Sequence, residues 1–284
     1  MEMSINNETK VNCQSEYFPL HKVILCEPKY MRISEIINET QRRYKKDNIN
    51  TKLAQKQHHR FLGELRMRNI ETILLPPIER YPEQVFTRDI GFTIGEKLFV
   101  SQMGMKLRQG EEKILINWLD EQQIPYFNLK EHSVEGGDVI VDQNTVYVGV
   151  SDRTEEGVTS HLQHILPDYE IISLPLASNI LHLDCVFNPI SSEEALIYSP
   201  ALTKDDIDIL SSRYKLIEVS EEEQFTLGTN TLSIGDKKII SLPQNKEVNK
   251  KLRSLGYEII EVDISEIIKS GGSFRCCTLP LVRN

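Results

Sequence analysis

Residues 271–281, with the sequence GGSFRCCTLPL, contain the side chain best suited to act as a nucleophile, the thiol of Cys276. This thiol follows a glycine pair and comes directly after Arg275. Glycines let the backbone approach a ligand closely, and a neighbouring guanidinium favours the thiolate over the thiol. Because most cysteines in soluble proteins are small buried hydrophobic residues, this interpretation needs support from the rest of the chain.

Three further segments have polar side chains within apolar, strand-like runs, at residues 85–91, 134–141 and 181–187. Charged groups in such places reduce the stability of the fold unless they are paired with an opposite charge or take part in binding or catalysis. Each run alone also fits an ordinary carboxylate at a strand end or turn. Together with Cys276 they supply a thiol, an imidazole and three acids, a set that suits nucleophilic catalysis at a cationic carbon.

The order of these motifs resembles that of the guanidino-group-modifying enzymes of the pentein superfamily, namely arginine deiminases, dimethylarginine dimethylaminohydrolases and amidinotransferases. The matching motifs are Phe-Thr-Arg-Asp at 86–89, Glu-Gly-Gly-Asp at 135–138, His-Leu-Asp at 182–184 and Gly-Gly-x-x-x-Cys at 271–276. The resemblance implies an α/β propeller of five pseudo-symmetric ββαβ units around a central site. Periodicity alone indicates only an α/β or α+β chain.

The same resemblance implies a role for each polar residue. Cys276 is expected to be the nucleophile, His182 the general acid and base, and Glu135 the group that orients the imidazole. Asp89 and Asp184 are expected to hold the guanidinium nitrogens, since carboxylates bind this planar cation through paired, charge-assisted hydrogen bonds. The expected intermediate is an S-alkylthiouronium on Cys276, which water hydrolyses to a ureido product such as citrulline.

Two arginines occupy the places where the family binds a substrate carboxylate. Arg108 follows Asp89, and Arg153 follows Glu135, at spacings that resemble the deiminase and dimethylargininase pattern. Arg108 also fits an ordinary solvated residue at a helix start, because arginines are mostly exposed. Arg153 lies in a short polar loop directly after an apolar strand, where that alternative is less attractive.

The chain also departs from each branch of the family. Arginine deiminases commonly have an arginine shortly before the nucleophile, where this chain has Ile-Lys-Ser-Gly-Gly at 268–272. Dimethylargininases typically have Glu-Asp in place of Arg88 and Asp89, and a non-acidic residue in place of Asp184. The sequence therefore does not distinguish between arginine, a methylated arginine and another guanidino compound as the substrate.

Composition agrees with a compact enzyme. The chain has 284 residues, of which 39% are hydrophobic, a net charge of −9 and a pI of about 5.4. We expect a single catalytic domain over residues 1–284, with a flexible segment at residues 1–18, because the distant site residues must converge. The negative charge argues against nucleic acid or an anionic membrane as the main partner. A small cationic guanidino compound remains a suitable partner, and the sequence leaves a homo-oligomer open.

The chain has five cysteines, and their spacing is not that of a disulfide framework. This indicates free thiols and a reducing compartment, so we expect a cytoplasmic protein. The polar N-terminus lacks the pattern of a secretory signal, and no apolar stretch is long enough to span a membrane. We expect no cofactor. A zinc site built from Cys276, His182 and Asp184 is chemically possible, but no paired Cys/His spacing indicates one.

Two other functions remain open. An amidinotransferase would share the thiouronium chemistry but transfer the group to an acceptor amine. A non-catalytic binding protein on the same fold would have no reason to keep a buried thiol beside an imidazole and three acids.

Short apolar strands alternate with amphipathic helices along the chain. Strands are predicted at residues 23–25, 71–75, 97–101, 139–150 with a turn at 142–144, 169–174, 195–199, 215–219, 237–242 and 258–262. Helices are predicted at residues 33–45, 51–67, 110–121, 154–165, 204–214 and 246–255. In the helix at 51–67, the spacing of the apolar residues predicts that His58 and His59 lie at the surface.

Overall fold

The computed structural model describes residues 11–284. These residues form five small sheets, and the strands of each sheet are connected in the same way. A first strand pairs antiparallel with a second, a helix follows, and a third strand pairs parallel with the second. This repetition confirms the predicted five ββαβ units.

The strands are β1 (Asn12–Cys13), β2 (Leu20–Cys26), β3 (Glu71–Leu75), β4 (Gly91–Ile94), β5 (Lys97–Val100), β6 (Phe127–Asn128), β7 (Val139–Asp142), β8 (Thr145–Val150), β9 (Glu170–Pro175), β10 (Phe187–Pro189), β11 (Glu194–Ile197), β12 (Lys215–Glu218), β13 (Leu232–Gly235), β14 (Lys238–Ser241), β15 (Glu258–Glu261) and β16 (Leu279–Arg283). The α-helices are α1 (Glu39–Tyr44), α2 (Thr51–Met67), α3 (Glu112–Glu121), α4 (Gly157–Ile165), α5 (Lys204–Ser211), α6 (Glu221–Phe225) and α7 (Lys246–Ser254). Short 3₁₀ helices lie at Gly136–Asp138, Leu183–Cys185, Ser199–Ala201 and Ile267–Ser270.

One of the five sheets joins segments that are far apart in sequence. Its order is β1-β16-β2-β3, so β16 pairs antiparallel with β2 and parallel with β1. The other four sheets are each built from one continuous stretch of chain, in the orders β4-β5-β6, β7-β8-β9, β10-β11-β12 and β13-β14-β15. The mixed sheet therefore closes the ring of units.

Helix α2 shows how the units bury their helices. The Asn50 side chain accepts a hydrogen bond from the Leu53 N–H and so caps the helix start. Phe61, Leu62 and Leu65 are buried on the inner face. His58 is also buried, with only 1% of its surface exposed, so the prediction that it lies at the surface was wrong. Its ring packs on the same apolar face, and burial lowers the pKa of His58 to about 4.

Most predicted elements agree with the structure within a few residues. The helix at 51–67 and the strand at 71–75 are confirmed to the residue. The helix predicted at 33–45 is restricted to Glu39–Tyr44, because Asn38 caps the helix at that point. Among residues 11–284, no helix has the length and apolar character needed to cross a membrane.

The segment at residues 11–18 is packed into the fold, which corrects the expectation of a flexible stretch there. Residues Asn12–Cys13 extend the closing sheet, and Ser15 forms an isolated bridge with Asp142. The carboxylate of Glu16 is buried among arginines. The rest of the expected flexible segment, residues 1–10, lies outside the described residues.

Candidate active site

Every unit has polar side chains in the turn that precedes its first strand. These residues are Asp89 before β4, Glu135 before β7, His182 and Asp184 before β10, Asn230 before β13 and Cys276 before β16. Residues 85–90 and 181–186 are turns, loop or 3₁₀ helix, so these two runs are not strands as the sequence indicated. The short strands begin only after the polar residues.

Hydrogen bonds join these five turns into a closed ring. The Arg88 N–H donates to the Cys276 carbonyl at 3.0 Å, and the Gly136 N–H donates to the Asp89 carbonyl at 3.1 Å. The ring then continues through side chains, since Asp138 Oδ1 accepts from the Leu183 N–H at 2.8 Å.

Asn230 supplies the last two links of the ring. Its Nδ2 donates to the Asp184 carbonyl at 3.0 Å, and its Oδ1 accepts from the Cys276 N–H at 3.3 Å. The fold thus fixes the positions of the site residues relative to one another.

The thiol of Cys276 lies against the carboxylate of Asp184. The Sγ atom is 3.7 Å from Oδ2 and 3.8 Å from Oδ1, and both side chains are buried. Burial raises the pKa of Asp184 above its ordinary value, while the nearby guanidinium of Arg275 opposes that rise. A cation bound beside the thiol would favour the ionised carboxylate further.

The imidazole of His182 is held by Glu135. Its Nε2 is 2.8 Å from Glu135 Oε2, and an ionised carboxylate can only accept, so Nε2–H is the donor. The other ring nitrogen, Nδ1, is 3.6 Å from Asp89 Oδ1. Nδ1 is therefore the atom that can gain or lose a proton in the site.

The surrounding carboxylates favour the protonated form of this imidazole. Burial alone would lower the pKa of His182, but Asp89, Glu135 and Asp138 outweigh that effect and raise it to about 10. In return, the hydrogen bond and charge of His182 overcome the effect of burial and hold the pKa of Glu135 well below its ordinary value.

Several polar atoms of the site have unused hydrogen-bonding capacity. Within residues 11–284, Asp89 Oδ1, Glu135 Oε1 and His182 Nδ1 are buried without a hydrogen-bond partner. Because two of these atoms are carboxylate oxygens, they would accept hydrogen bonds from a cationic donor. Buried acceptors without partners are costly, so the site is organised for a group that brings N–H donors.

The two predicted carboxylate-binding arginines have different surroundings. Arg108 binds Asp89 Oδ2 at 2.5 Å and Glu111 Oε2 at 2.8 Å, and also donates to the Phe86 carbonyl at 3.1 Å. The Arg153 guanidinium has fewer partners within residues 11–284. It donates to the Ile37 carbonyl at 2.8 Å and lies 3.6 Å from Glu135 Oε1. Both arginines line the pocket, and their binding of a substrate carboxylate stays a prediction.

Two glycines of the site have no room for a side chain. A Cβ atom on Gly137 would lie 2.8 Å from two ring atoms of His182 and 2.9 Å from Asp89 Oδ1. A Cβ atom on Gly272 would lie 2.4 Å from the Phe86 ring and 2.9 Å from the Cys276 Cβ. These glycines are required because the site residues pack directly on their backbones.

The pocket is closed by the segment that leads into α1. The Ile37 carbonyl is bound by Arg153, and Asn38 Nδ2 donates to the Ser270 carbonyl at 2.9 Å on the opposite side. The space left inside is about 10 Å³, roughly enough for one water molecule.

A second buried cluster, the arginine cluster, lies behind the site and consists of Arg88, Arg275, Arg283 and Glu16. Arg88 directly precedes Asp89, and Arg275 directly precedes Cys276, in the sequence. The Glu16 carboxylate is 2.5 Å from Arg88 Nη2 and 3.3 Å from Arg275 Nη2.

Positive charge dominates in this arginine cluster. Burial alone would raise the pKa of Glu16, but Arg275 and Arg88 lower it to about 2. Burial lowers the pKa of Arg283 to about 10, against the opposing charge of Glu16. The cluster thus places excess positive charge behind Asp184 and Cys276.

The potential metal ligands of the site fall into two separate groups. Asp184, Cys185 and Cys276 have ligand atoms within 4.8 Å of one another, and so do Asp89, Glu135 and His182. Neither group combines Cys276 with His182, as the possible zinc site would have done.

Sequence reasoning missed Asn230, Glu111 and Glu16. Asn230 had a detectable signal, because it precedes a short apolar strand just as the four recognised motifs do. Glu111 lies three residues after Arg108 at a helix start, a weak signal for an ion pair. For Glu16 the sequence gives no signal, since its partners lie far along the chain.

Comparison with known proteins identifies the family. Residues 27–283 match the family described as N,N dimethylarginine dimethylhydrolase, eukaryotic. The chain belongs to this family. Its members and its structural relatives are guanidino-group-modifying enzymes of the pentein superfamily, which confirms both the predicted superfamily and the propeller-like fold.

Individual relatives differ in reaction. An uncharacterised Bacillus subtilis protein, YkgA, is 55% identical over 284 residues, which cover 100% of this chain and 99% of YkgA. The Synechocystis bifunctional arginine dihydrolase/ornithine cyclodeaminase ArgZ is 27% identical over 272 residues, covering 91% of this chain but 37% of ArgZ.

Two solved structures share the fold. A variant of the N-terminal domain of ArgZ, covalently bound to a reaction intermediate, superposes with a TM-score of 0.85 at 26% identity, covering 92% of this chain and 98% of that domain. SxtG, an amidinotransferase from Microseira wollei, superposes with a TM-score of 0.83 over 96% of this chain and 97% of its own. At 15% identity, SxtG shows the fold alone.

Proposed function

We propose that the protein hydrolyses the guanidino C–N bond of arginine or an N-methylated arginine and releases citrulline. The observation that carries this proposal is the unfilled set of acceptors beside a buried thiol. Asp89 Oδ1 lacks a partner among residues 11–284, and the Asp184 carboxylate lies against Cys276 Sγ. A guanidinium placed between these carboxylates would bring its central carbon to the sulfur.

In the first half-reaction, the Cys276 thiolate adds to the guanidinium carbon. The C–N bond to the departing amine then breaks, and His182 Nδ1 donates its proton to that amine. Ammonia leaves from arginine, and an alkylamine leaves from a methylated arginine. The remaining carbon is bound to Cys276 as an S-alkylthiouronium, and the covalent intermediate recorded for the ArgZ domain supports such a step.

In the second half-reaction, His182 deprotonates a water molecule, which attacks the same carbon. The C–S bond breaks, and citrulline and the Cys276 thiolate are released. The elevated pKa of His182 fits this double role, because a bound guanidinium offsets the carboxylate charge that keeps the imidazole protonated. Substrate binding thereby prepares His182 to give up its proton.

The decisive experiment is an end-point screen for ureido product with arginine, monomethylarginine, dimethylarginine and agmatine. Cys276→Ser should abolish turnover, because an alcohol is a far poorer nucleophile at neutral pH. The matched control is Cys277→Ser, the adjacent buried thiol, which should keep most of the activity. A substrate adduct trapped on Cys277 would reverse the assignment.

The same screen distinguishes substrates by their carboxylate. If Arg108 and Arg153 bind that group, arginine or a methylated arginine should be used far better than agmatine, which lacks it. Arg153→Ala should then reduce turnover of arginine strongly and change the poor turnover of agmatine very little. Equal use of arginine and agmatine by the native enzyme would contradict an α-amino acid substrate.

An arginine dihydrolase is a second candidate, favoured by the similarity to ArgZ. Hydrolysis of all three guanidino C–N bonds by two water molecules would release ornithine, two molecules of ammonia and carbon dioxide in place of citrulline. Amino-acid analysis of the arginine reaction separates the two outcomes. An amidinotransferase would instead need an added acceptor amine, so citrulline formed without an acceptor argues against it.

The five free thiols also support a cytoplasmic location of the protein, since the cytoplasm keeps thiols reduced.

A further inference from the structure

A second thiol, that of Cys185, lies beside the candidate nucleophile and has no part in the proposed reaction. Cys185 is buried, and its Sγ is 3.6 Å from Asp184 Oδ1. The sulfur atoms of Cys185 and Cys276 and a carboxylate oxygen of Asp184 all lie within 4.8 Å of one another. The two sulfurs are thus close enough to react with each other after side-chain movement.

The backbone segments that carry the two thiols are braced together. The Asn230 side chain donates to the Asp184 carbonyl and accepts from the Cys276 N–H. The hydroxyl of Thr229 donates to the Cys185 carbonyl. A disulfide requires the two sulfur atoms to approach to about 2.05 Å. Because these hydrogen bonds hold the two backbone segments in place, the sulfur atoms would approach each other by rotation of the two side chains.

A larger cavity adjoins the substrate pocket on the side of Cys185. It has a volume of about 460 Å³, is lined by Cys185 and Phe225, and shares Asn38, Leu181 and Gly271 with the substrate pocket. The exposed residues Glu221 and Glu222 lie at the rim of that cavity. The substrate pocket itself holds only about 10 Å³. A compact, neutral oxidant can therefore approach Cys185 from the larger cavity and Cys276 from the adjoining substrate pocket, which Cys276 lines.

We propose that Cys185 is a resolving thiol that forms a reversible disulfide with Cys276 when the protein meets hydrogen peroxide. The Cys276 thiolate attacks one peroxide oxygen, so an S–O bond forms, the O–O bond breaks and hydroxide leaves. The Cys185 thiol then attacks the sulfenic sulfur, so the S–S bond forms and water leaves. The two thiols lose two electrons, and the peroxide is reduced to water.

The disulfide protects the nucleophile from further oxidation. A sulfenic acid without a neighbouring thiol proceeds to the sulfinic acid, which thiol reductants do not reverse. The loss of activity on oxidation depends on the proposed function, because it requires Cys276 to be the nucleophile. The bond itself is independent of that role.

The test uses the full chain without substrate, so that its outcome does not depend on turnover. The protein is treated with hydrogen peroxide, alkylated, digested without reduction and analysed by mass spectrometry. We expect a Cys185–Cys276 cross-linked peptide, which dithiothreitol converts back to two free thiols. Because Cys276 and Cys277 fall on one tryptic peptide, Cys277→Ser gives the assignment without ambiguity and should keep the cross-link.

Variants at two positions complete the design. In Cys185→Ser or Cys185→Ala, peroxide should convert Cys276 to the sulfinic acid, and dithiothreitol should no longer reverse the oxidation. Cys26→Ser, which removes a buried thiol elsewhere, should behave as the native chain does. Sulfinic acid on Cys276 of the native chain with Cys185 still alkylated would overturn the proposal. A bond between Cys276 and Cys277 would overturn it too, and both results are read from native protein even if a variant fails to fold.

Discussion

Two buried charged clusters lie back to back in this ring, and their unfilled hydrogen-bonding groups are of opposite kind. The site cluster, formed by Asp89, Glu135, His182 and Asp184 around Cys276, has carboxylate oxygens that lack hydrogen-bond donors within residues 11–284. The arginine cluster behind it has guanidinium groups around the carboxylate of Glu16. Burial of charge is common to both clusters, so burial alone does not indicate function.

What separates the two clusters is the sign of the group that each one lacks and the surface that each one faces. The site cluster lies on a pocket closed by a short segment, and it lacks a cation with N–H donors. The arginine cluster lines a different small cavity, of about 10 Å³, through Glu16, Arg88 and Arg283, and its excess positive charge lies close to Asp184 and Cys276. We infer that the front cluster binds the substrate, while Arg275 of the rear cluster opposes the rise that burial causes in the pKa of Asp184.

The largest expected effect follows from removing a charge at the front. Asp184→Asn keeps the shape of the side chain but removes one charge that a guanidinium would pair with. Loss of a partner from a desolvated charge pair costs about 3–5 kcal/mol, or roughly two to four orders of magnitude in kcat/KM. Steady-state kinetics with the best substrate measures this effect, and Asp236→Asn, at the surface, serves as the control.

A loss of only a few fold in Asp184→Asn would contradict this function of the front cluster. It would favour a dimethylargininase-like site, in which an acid at this position is not required.

At the rear, the same kind of change should act on stability. Glu16→Gln leaves three buried arginines without their carboxylate, so the free energy of unfolding should fall by about 3–5 kcal/mol. Denaturant unfolding followed by fluorescence measures it. Glu39→Gln is the matched control, because its pair with Arg42 is exposed and such pairs contribute at most about 1 kcal/mol. Equal stability of the two variants would show that the rear cluster is not structural.

A steric change at the front should affect kcat without removing any charge. Gly137→Ala places a methyl group against His182 and Asp89, so the imidazole must shift. Misplacement of a reacting group by about 1 Å can cost roughly 10²-fold in rate. Gly63→Ala, in helix α2 with no atom near the added methyl, should instead stabilise the protein by about 0.5–1 kcal/mol. Unchanged kcat in Gly137→Ala would mean that the ring is not held as described.

A pH dependence of stability is also expected. The pKa of His182 is raised to about 10 in the fold, above its ordinary 6.5. Its contribution to stability is therefore fully present below pH 6.5 and is lost as the pH rises towards 10. The free energy of unfolding of the native chain should fall over this range relative to His182→Asn. A difference that does not vary with pH would show that the carboxylates do not hold the imidazole protonated.

The sequence supplied the order of the motifs and most helices, because α2 and its neighbours have clear apolar periodicity. It predicted the first strand of one unit, β7, but not β4, β10, β13 or β16. The strands Gly91–Ile94 and Leu232–Gly235 have four residues each and are buried throughout, so they lack the alternation that marks a strand.

Contacts between distant residues were equally hard to predict. Arg108 was expected to bind a substrate carboxylate, yet in the fold it pairs with Asp89 and Glu111. Motif spacing indicates which residues meet at a site but not which of them neutralise one another. Those pairings depend on side-chain directions that only the assembled turns determine.

The pairing of β16 with β2 has a consequence for how activity is acquired. The strand β16 begins three residues after Cys276, so docking of that strand on β2 helps to fix this residue in place. Contacts between such distant residues form slowly, since the entropy of closing a long loop is lost before the contacts stabilise it. During refolding, the helical circular dichroism signal should therefore return before turnover does. Brief detachment of this one strand would stop turnover while the other four units remain folded.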